Sequence, residues 1–378
     1  MLHFMHLSEL ERHSHVFKYL ALPLVTFTCW TSPALSADYS TEKIASGLLV
    51  PWGMAFADDN TLLVTERNGH ILSVDIATGK STQLMEDPAG LYANGQGGLL
   101  DIAMSPFEPN KAYVTYSKRT ASGSDTTLAT FTFSDGKLSD WKNILTTTSN
   151  SSTNRHYGSR VTFDEQYLYM SVGDRGERDN GQDLSTHAGS ILRLNPDGSA
   201  AEDNPFVEQK GAQKEIWSFG HRNPQGLFYD SAAGALWSIE HGPRGGDEIN
   251  FIRAGSNYGW PITSHGKEYW GPINVGESKE KEGIESPIKV YVPSIAPSSL
   301  LLYRGKNYPE LNGKLLAPAL KLTHINVVTL NKNNQAVDEI RILSELNERI
   351  RHVIVSPMDE LIFSTDQGNI YRLVPTRS

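Results

Sequence analysis

The residues of this chain best equipped for chemistry crowd between Gly220 and Pro261. Three clusters follow one another there: Gly220-His221-Arg222-Asn223-Pro224-Gln225-Gly226, Glu240-His241-Gly242-Pro243-Arg244-Gly245-Gly246-Asp247-Glu248 and Asn257-Tyr258-Gly259-Trp260-Pro261. Each mixes Gly and Pro, which permit positive φ or fix φ, with charged and amide side chains, the makeup of structured loops that carry function. A fourth cluster, Asn154-Arg155-His156-Tyr157-Gly158-Ser159-Arg160, stands just before a strand pattern, and an imidazole that is neutral near pH 7 is suited to taking a hydroxyl proton. Lys321 follows the apolar run Leu315 to Leu320, and Arg349 and Arg351 flank Ile350. Alternation in an extended segment puts the two arginines on one side, about 6–7 Å apart.

These residues need a scaffold that brings them together, and the pattern past residue 40 supplies one. Short apolar strands are separated by Gly, Asp, Asn and Pro turns, with almost no amphipathic helix, so the chain is all-β. Residues 52–74 lie over 351–373 without a gap, both reading strand, turn, strand, Gly turn, strand. Degenerate copies begin near Leu99, Arg160, Gly226 and Ser299, giving six repeats of roughly 57 residues. The expected fold is a six-bladed β-propeller of four-stranded antiparallel blades. His156 then lies at the inner end of a blade, facing the central channel. Segments 134–157, 175–190 and 254–297 are expected to form loops on one face over that channel.

Composition bounds the partners. With 39% hydrophobic and 20% charged residues the chain is globular with a sizeable core. The 34 Lys and Arg against 43 Asp and Glu leave a net charge of −9, which argues against nucleic acid or an anionic membrane surface as partner. Any basic site must be local, and three converging cations in an acidic protein ask for an anionic ligand. Unconnected surface salt bridges are the plainer reading of the same three residues. Arg222 and Asn223 likewise admit a plain role, pinning loops by satisfying buried carbonyls.

Residues 1–37 read as a signal peptide. The apolar run Tyr19 to Phe27 follows Lys18 and leads to the small residues Ser32 to Ala37, too short to span a membrane and suited to cleavage. Residues 38–378 then form one propeller domain, periplasmic or secreted, with no membrane insertion. The only cysteine, Cys29, leaves with that segment, so the mature chain has neither a disulfide nor a thiolate metal site. No Cys/His ligand spacing is present, and a hard cation bound by oxygen suits the chain. Asp174, Glu177 and Asp179 form an acidic loop that reads as a solvated turn rather than a metal site. His221 and His241 read as structural.

From about Leu48 to Leu373 the clusters resemble, in order, those of the soluble sugar dehydrogenases that use pyrroloquinoline quinone (PQQ), the aldose sugar and soluble glucose dehydrogenases. The resemblance implies His156 as general base and places Arg222 and Asn223 on the quinone carbonyls. It implies Lys321, Arg349 and Arg351 on the three PQQ carboxylates, with Gln96 beside cofactor and substrate and Tyr269 covering the flat rings. It implies Ca²⁺ held by the backbone carbonyls of Gly242 and Pro243, with Glu248 and the Tyr258 carbonyl as further ligands. The activity implied is oxidation of an aldose at C1 to the lactone, with hydride passing to the quinone and electrons to an external acceptor. A monomer or homodimer is expected. Arg155 stands where the glucose branch has an acidic residue, and His241-Gly242-Pro243-Arg244 looks closer to the aldose branch, so broad aldose use is expected. A calcium-dependent lactonase and a non-catalytic sugar-binding propeller are the rivals; the first has no use for Lys321, Arg349 and Arg351 together, and the second none for His156 with Arg222.

Overall fold

Six mostly apolar strands, buried over much of their length, open the blades around a common axis: Pro51–Phe56, Leu99–Met104, Val161–Phe163, Pro224–Asp230, Leu301–Leu302 and Ile350–Val355. Each opens a four-stranded antiparallel sheet whose later strands step outward. The computed structural model describes residues 39–376, so the expected export segment and Cys29 lie outside the described residues. Helix among the described residues is confined to three short 3₁₀ turns, and no helix is long and apolar enough to cross a membrane. The fold is the expected six-bladed β-propeller, and every repeat located in the sequence begins within three residues of an inner strand.

Closure of the ring uses a strand that the repeat pattern does not contain. Tyr39–Ala45 forms the outer strand of the last blade, antiparallel to Ile370–Pro375, with Tyr39 opposite Pro375 and Ser40 opposite Val374. Hydrogen bonds between strands at opposite ends of the described residues thus complete the sixth blade and seal the circle. Between neighbouring blades, facing side chains interlock. Leu63 and Ile71 of the first blade pack with Leu99, Val114 and Phe131 of the second. Tyr303 and Leu316 of the fifth pack with Val353 and Phe363 of the sixth. Full burial of each such side chain contributes about 1.5–3 kcal/mol.

Two of the expected loop segments contain blade strands. Lys137–Thr146, inside 134–157, is the outer strand of the second blade, and Lys289–Tyr291, inside 254–297, is that of the fourth. An outer strand is largely solvated, so it carries polar residues and little of the apolar signal that marks inner strands. Residues 255–260 climb along the outer edge of the third blade, with Phe219 paired in parallel to Asn257. The Tyr258 and Trp260 N–H groups donate to the carbonyls of Phe219 and Gly220. That climb carries Trp260 to the rim where the candidate residues gather.

The axis itself is closed by one buried ion pair. Arg160, 2% exposed, donates to Asp101 at 2.6 Å, to the Ser298 carbonyl at 2.8 Å and to the Gln225 carbonyl at 3.1 Å. Its guanidinium lies 4.3 Å from the Trp52 ring centre, while Ser298 Oγ donates to the Ile350 carbonyl at 2.7 Å. All six blades are thereby linked near the axis. Because removing one partner strands a buried charge, Asp101→Ala is expected to cost about 3–5 kcal/mol, and Asp101→Asn less, since it keeps one acceptor. Urea denaturation of the two variants checks the order.

Candidate active site

Antiparallel pairing decides which residues meet. In a four-stranded blade the start of the inner strand and the turn joining the second and third strands lie at the same end. Gln96, His156, Asn223 and Arg351 precede or open inner strands, whereas Asp174, Gly242, Lys321 and Asp366 lie in second-to-third turns. Residues far apart in sequence therefore share one rim of the channel.

His156 sits in the left-handed region at φ 57°, a conformation that costs a non-glycine residue about 1 kcal/mol or more and must be held by its surroundings. The Gln96 side-chain oxygen accepts the His156 backbone N–H at 2.8 Å, and the Asn223 oxygen accepts that of Gly158 at 3.2 Å. The buried Arg175 guanidinium, 3.6 Å from the Tyr157 ring centre, ties down the carbonyls of Ser124, Thr153 and Arg155. A Cβ on Gly173 would fall 2.3 Å from the His156 carbonyl oxygen, so only glycine lets the Asp174 turn lie against this loop.

That turn supplies the partner of the imidazole. Nδ1 of His156 is 2.6 Å from Asp174 Oδ1, and Nε2 has no protein partner among the described residues. With the Nδ1 proton donated to the carboxylate, the Nε2 lone pair is free to accept a proton. Burial holds the His156 pKa below the ordinary imidazole value; Asp174 opposes this, while Arg222 and Arg155 reinforce it. Burial alone would raise Asp174, but His156, Arg222 and the Gly176 N–H outweigh it and keep the carboxyl below its usual range. The expectation of a solvated turn is therefore wrong for Asp174, which is 1% exposed, and holds for Glu177 and Asp179, which are exposed. The turn folds inward because His156, Trp260 and Gly176 each donate to its carboxylate.

Three cavities meet at His241. A narrow one of about 160 Å³ is lined by Trp52, Gln96, Asn223, Arg349 and Arg351. A wider cleft of about 510 Å³ is walled by Gly242, Pro243, Tyr269 and Lys321. The third, about 20 Å³, is bounded by Arg222, Gly242, Pro243, Glu248 and Tyr258. His241 lines all three, a position that its place in the sequence did not reveal. Its Nε2–H donates to the Pro297 carbonyl at 2.6 Å, and burial lowers its pKa to about 3, so it is a neutral wall. His221, between Ser218 and Glu240, is structural as expected.

The cations are partly compensated. Arg349 and Arg351 do share one side, and both pair with Asp366, at 2.9 and 2.7 Å, a counter-ion the sequence reading missed. Burial pushes Asp366 up, but Arg351 and Arg349 outweigh it and hold the carboxyl down. Lys321 is exposed and forms no ion pair among the described residues. Arg349 reaches the Leu320 carbonyl at 3.2 Å, which joins the two arginines to the Lys321 turn. Arg222 donates to the carbonyls of His241 and Gly242 at 3.1 and 2.8 Å, while its buried Nε has no partner. Among the described residues Asp366 alone faces Arg349 and Arg351, so with Lys321 that corner of the rim carries excess positive charge, whereas Arg222 lies beside Asp174 and Glu240. Tyr269 stands 65% exposed on the cleft wall.

The small cavity suits a hard cation. Glu240 and Glu248 are paired across adjacent strands, and burial, then the charge of Glu240, push the Glu248 pKa well above the carboxylate range. Two neighbouring carboxylates in low dielectric favour a cation. Among the described residues no three His, Cys, Asp or Glu side chains converge, so an ion here would take backbone carbonyls as well.

Comparison with known proteins gives the family of the chain. The sequence model of the Glucose / Sorbosone dehydrogenase family matches residues 48–372. The chain is 34% identical to the aldose sugar dehydrogenase YliI of Escherichia coli over 96% of this chain and 99% of that one. The crystal structure of the soluble aldose sugar dehydrogenase from Escherichia coli in the apo-form superimposes with TM-score 0.85 at 33% identity, covering 89% of this chain and 100% of that one. The PQQ-bound form of aldose sugar dehydrogenase from Streptomyces coelicolor gives TM-score 0.74 at 27% identity, covering 89% and 98%.

His156 is expected to titrate below the ordinary imidazole value of about 6.5 when its ring protons are followed by NMR. Asp174→Ala is expected to move it lower still, because the lost carboxylate favoured the cation. An upward shift would contradict the contact.

Proposed function

The chain belongs to the glucose/sorbosone dehydrogenase family, and we propose that it oxidises aldose sugars at C1 to the lactone with PQQ and Ca²⁺, passing electrons to an external acceptor. The observation that carries this reading is the convergence, on one rim, of a neutral carboxylate-oriented histidine with cations exceeding their local counter-ions. The aldose sugar dehydrogenases among its relatives, one of them solved with PQQ bound, support the substrate class and the quinone.

The residues present fit that cofactor. Arg349, Arg351 and Lys321 would hold its carboxylates, Arg222 and Asn223 its carbonyl edge, and Gln96 and Tyr269 would flank it. The unpartnered Arg222 Nε is a donor awaiting an acceptor, since an unsatisfied buried group costs about 1–3 kcal/mol. Gly242, Pro243, Glu248 and Tyr258, all on the small cavity, would hold Ca²⁺. When bound, the quinone supplies a two-electron acceptor and the metal a Lewis acid.

The protein's own part follows from the contacts. His156 Nε2 takes the proton of the anomeric hydroxyl, while Asp174 holds the ring in the required tautomer and stabilises the imidazolium. Arg222 places a fixed positive charge on the small cavity beside His241, where developing negative charge is stabilised without reorganisation. Buried His241 keeps that wall uncharged. Arg155, exposed at the rim beside His156, replaces the acidic residue of the glucose branch and favours a range of aldoses. We further propose that residues 1–37 direct export to the periplasm or outside the cell.

Dye-linked oxidation of an aldose panel is expected only when both PQQ and Ca²⁺ are added, and His156→Ala is expected to lower kcat by about 10²–10⁴. Lactone hydrolysis without PQQ would favour the hydrolase reading instead. Lys321→Ala or Arg351→Ala, each deleting a charge-assisted hydrogen bond, is expected to weaken PQQ binding about tenfold to a hundredfold. Fluorescence titration against the unsubstituted protein measures this.

A further inference from the structure

We propose that Trp260 is the positioning residue of the base: its indole N–H fixes the Asp174 carboxylate that orients His156, and its ring face backs the Arg222 guanidinium. The inference rests on the reading of His156 as base and adds to it the element that sets the base against the cation.

Asp174 Oδ1 receives two donors, His156 Nδ1 at 2.6 Å and the Gly176 N–H at 2.7 Å. Oδ2 receives one, Trp260 Nε1–H at 2.7 Å. Asp174 is 1% and Trp260 5% exposed, so without the indole Oδ2 would be a buried acceptor with no protein donor. The terminal torsion of an aspartate is soft, and the carboxylate could then turn and release the imidazole. The indole cannot follow, because its backbone is held at both ends. The Trp260 N–H donates to the Gly220 carbonyl, and its own carbonyl accepts from Gln182 Nε2 at 2.7 Å. Arg222 lies 5.2 Å from the same ring centre, within cation–π range. One side chain therefore fixes two groups from different blades.

The charged groups acting on His156 are Asp174, Arg222 and Arg155, with neutral His241 nearby. Removing the indole N–H frees the carboxylate to turn away from the ring, so the imidazolium loses part of the charge that favours it. Trp260→Phe deletes the donor and keeps an aromatic face. Replacing the indole with its sulfur isostere benzothienylalanine deletes only the N–H and covers the case in which Trp260→Phe fails to fold.

The first readout is ¹⁵N NMR of His156 in the unloaded protein. The unsubstituted chain is expected to show the Nδ1–H tautomer alone. Either replacement should show a mixture, with the titration moved downward, toward that of Asp174→Ala, as the carboxylate releases the ring. The second readout is Asp174→Asn, whose amide keeps its oxygen on His156 and Gly176 and turns its NH₂ against the indole N–H. Adding Trp260→Phe removes that clash of donors, so the double variant should recover the single tautomer that Asp174→Asn loses. Under PQQ-dependent turnover, Trp260→Phe should lower kcat about tenfold with aldose KM unchanged. An unchanged tautomer and titration in the Trp260 variants, or a double variant worse than Asp174→Asn, would overturn the proposal. Absence of PQQ-dependent activity in the unsubstituted protein would instead defeat the functional reading, and the NMR readouts would still decide the role of Trp260.

Discussion

A charged pair buried on a channel axis persists only if every donor and acceptor is met, and the Arg160–Asp101 pair meets that condition by drawing on several blades. The guanidinium takes Asp101, Gln225 and Ser298 as acceptors and Trp52 as a face, while Val161 N–H donates to the second Asp101 oxygen. Desolvating such a pair offers little net stability against an apolar alternative. Its effect is geometric, because it sets the heights of the inner strands relative to one another. The loops that open those strands carry the candidate catalytic and cofactor-binding groups, and they inherit that registry.

From this anchor the rim is built by repetition. Every blade contributes an inner-strand start and a second-to-third turn to the same end, so a base, its carboxylate and several cations can come from different repeats without a dedicated domain. The polar burial is extensive. Asp174, Arg175, Glu240 and Asp247 are each 4% exposed or less, and each side chain is hydrogen-bonded, Asp247 to the Gly242 and Ala296 N–H groups and the Ser294 hydroxyl, with only Arg175 Nε unmet. Such networks give a unique arrangement at the expense of tolerance to substitution. Ring closure by Tyr39–Ala45 secures it from outside.

The sequence made the architecture legible because propeller blades repeat and their inner strands are apolar. The gap-free match of 52–74 with 351–373 located two blades, and the starts near Leu99, Arg160, Gly226 and Ser299 located the rest. Outer strands such as Lys137–Thr146 and the closing strand Tyr39–Ala45 were not legible, since solvated edges carry little apolar pattern and pairing between chain ends leaves no local trace. The same division holds at the site. His156, Arg222, Lys321, Arg349 and Arg351 stood out by residue type and loop context, and the structure brings them to one rim. Asp174 and Asp366 did not, because a carboxylate in a Gly-rich turn reads as solvated until its partners from other loops are known. Trp260 was visible only as part of an Asn-Tyr-Gly-Trp-Pro turn, its indole contact being set by the climb of 255–260 along another blade.

The account turns on whether this rim is a site for an anionic quinone beside the base. A crystal structure of the protein grown with PQQ, Ca²⁺ and an aldose tests that most directly. The account predicts the quinone seated at the junction lined by His241, its carboxylates toward Lys321, Arg349 and Arg351, and the sugar C1 hydroxyl within hydrogen-bond reach of His156 Nε2. A rim left empty at saturating PQQ, or a quinone bound away from Arg222 and His156, would contradict it.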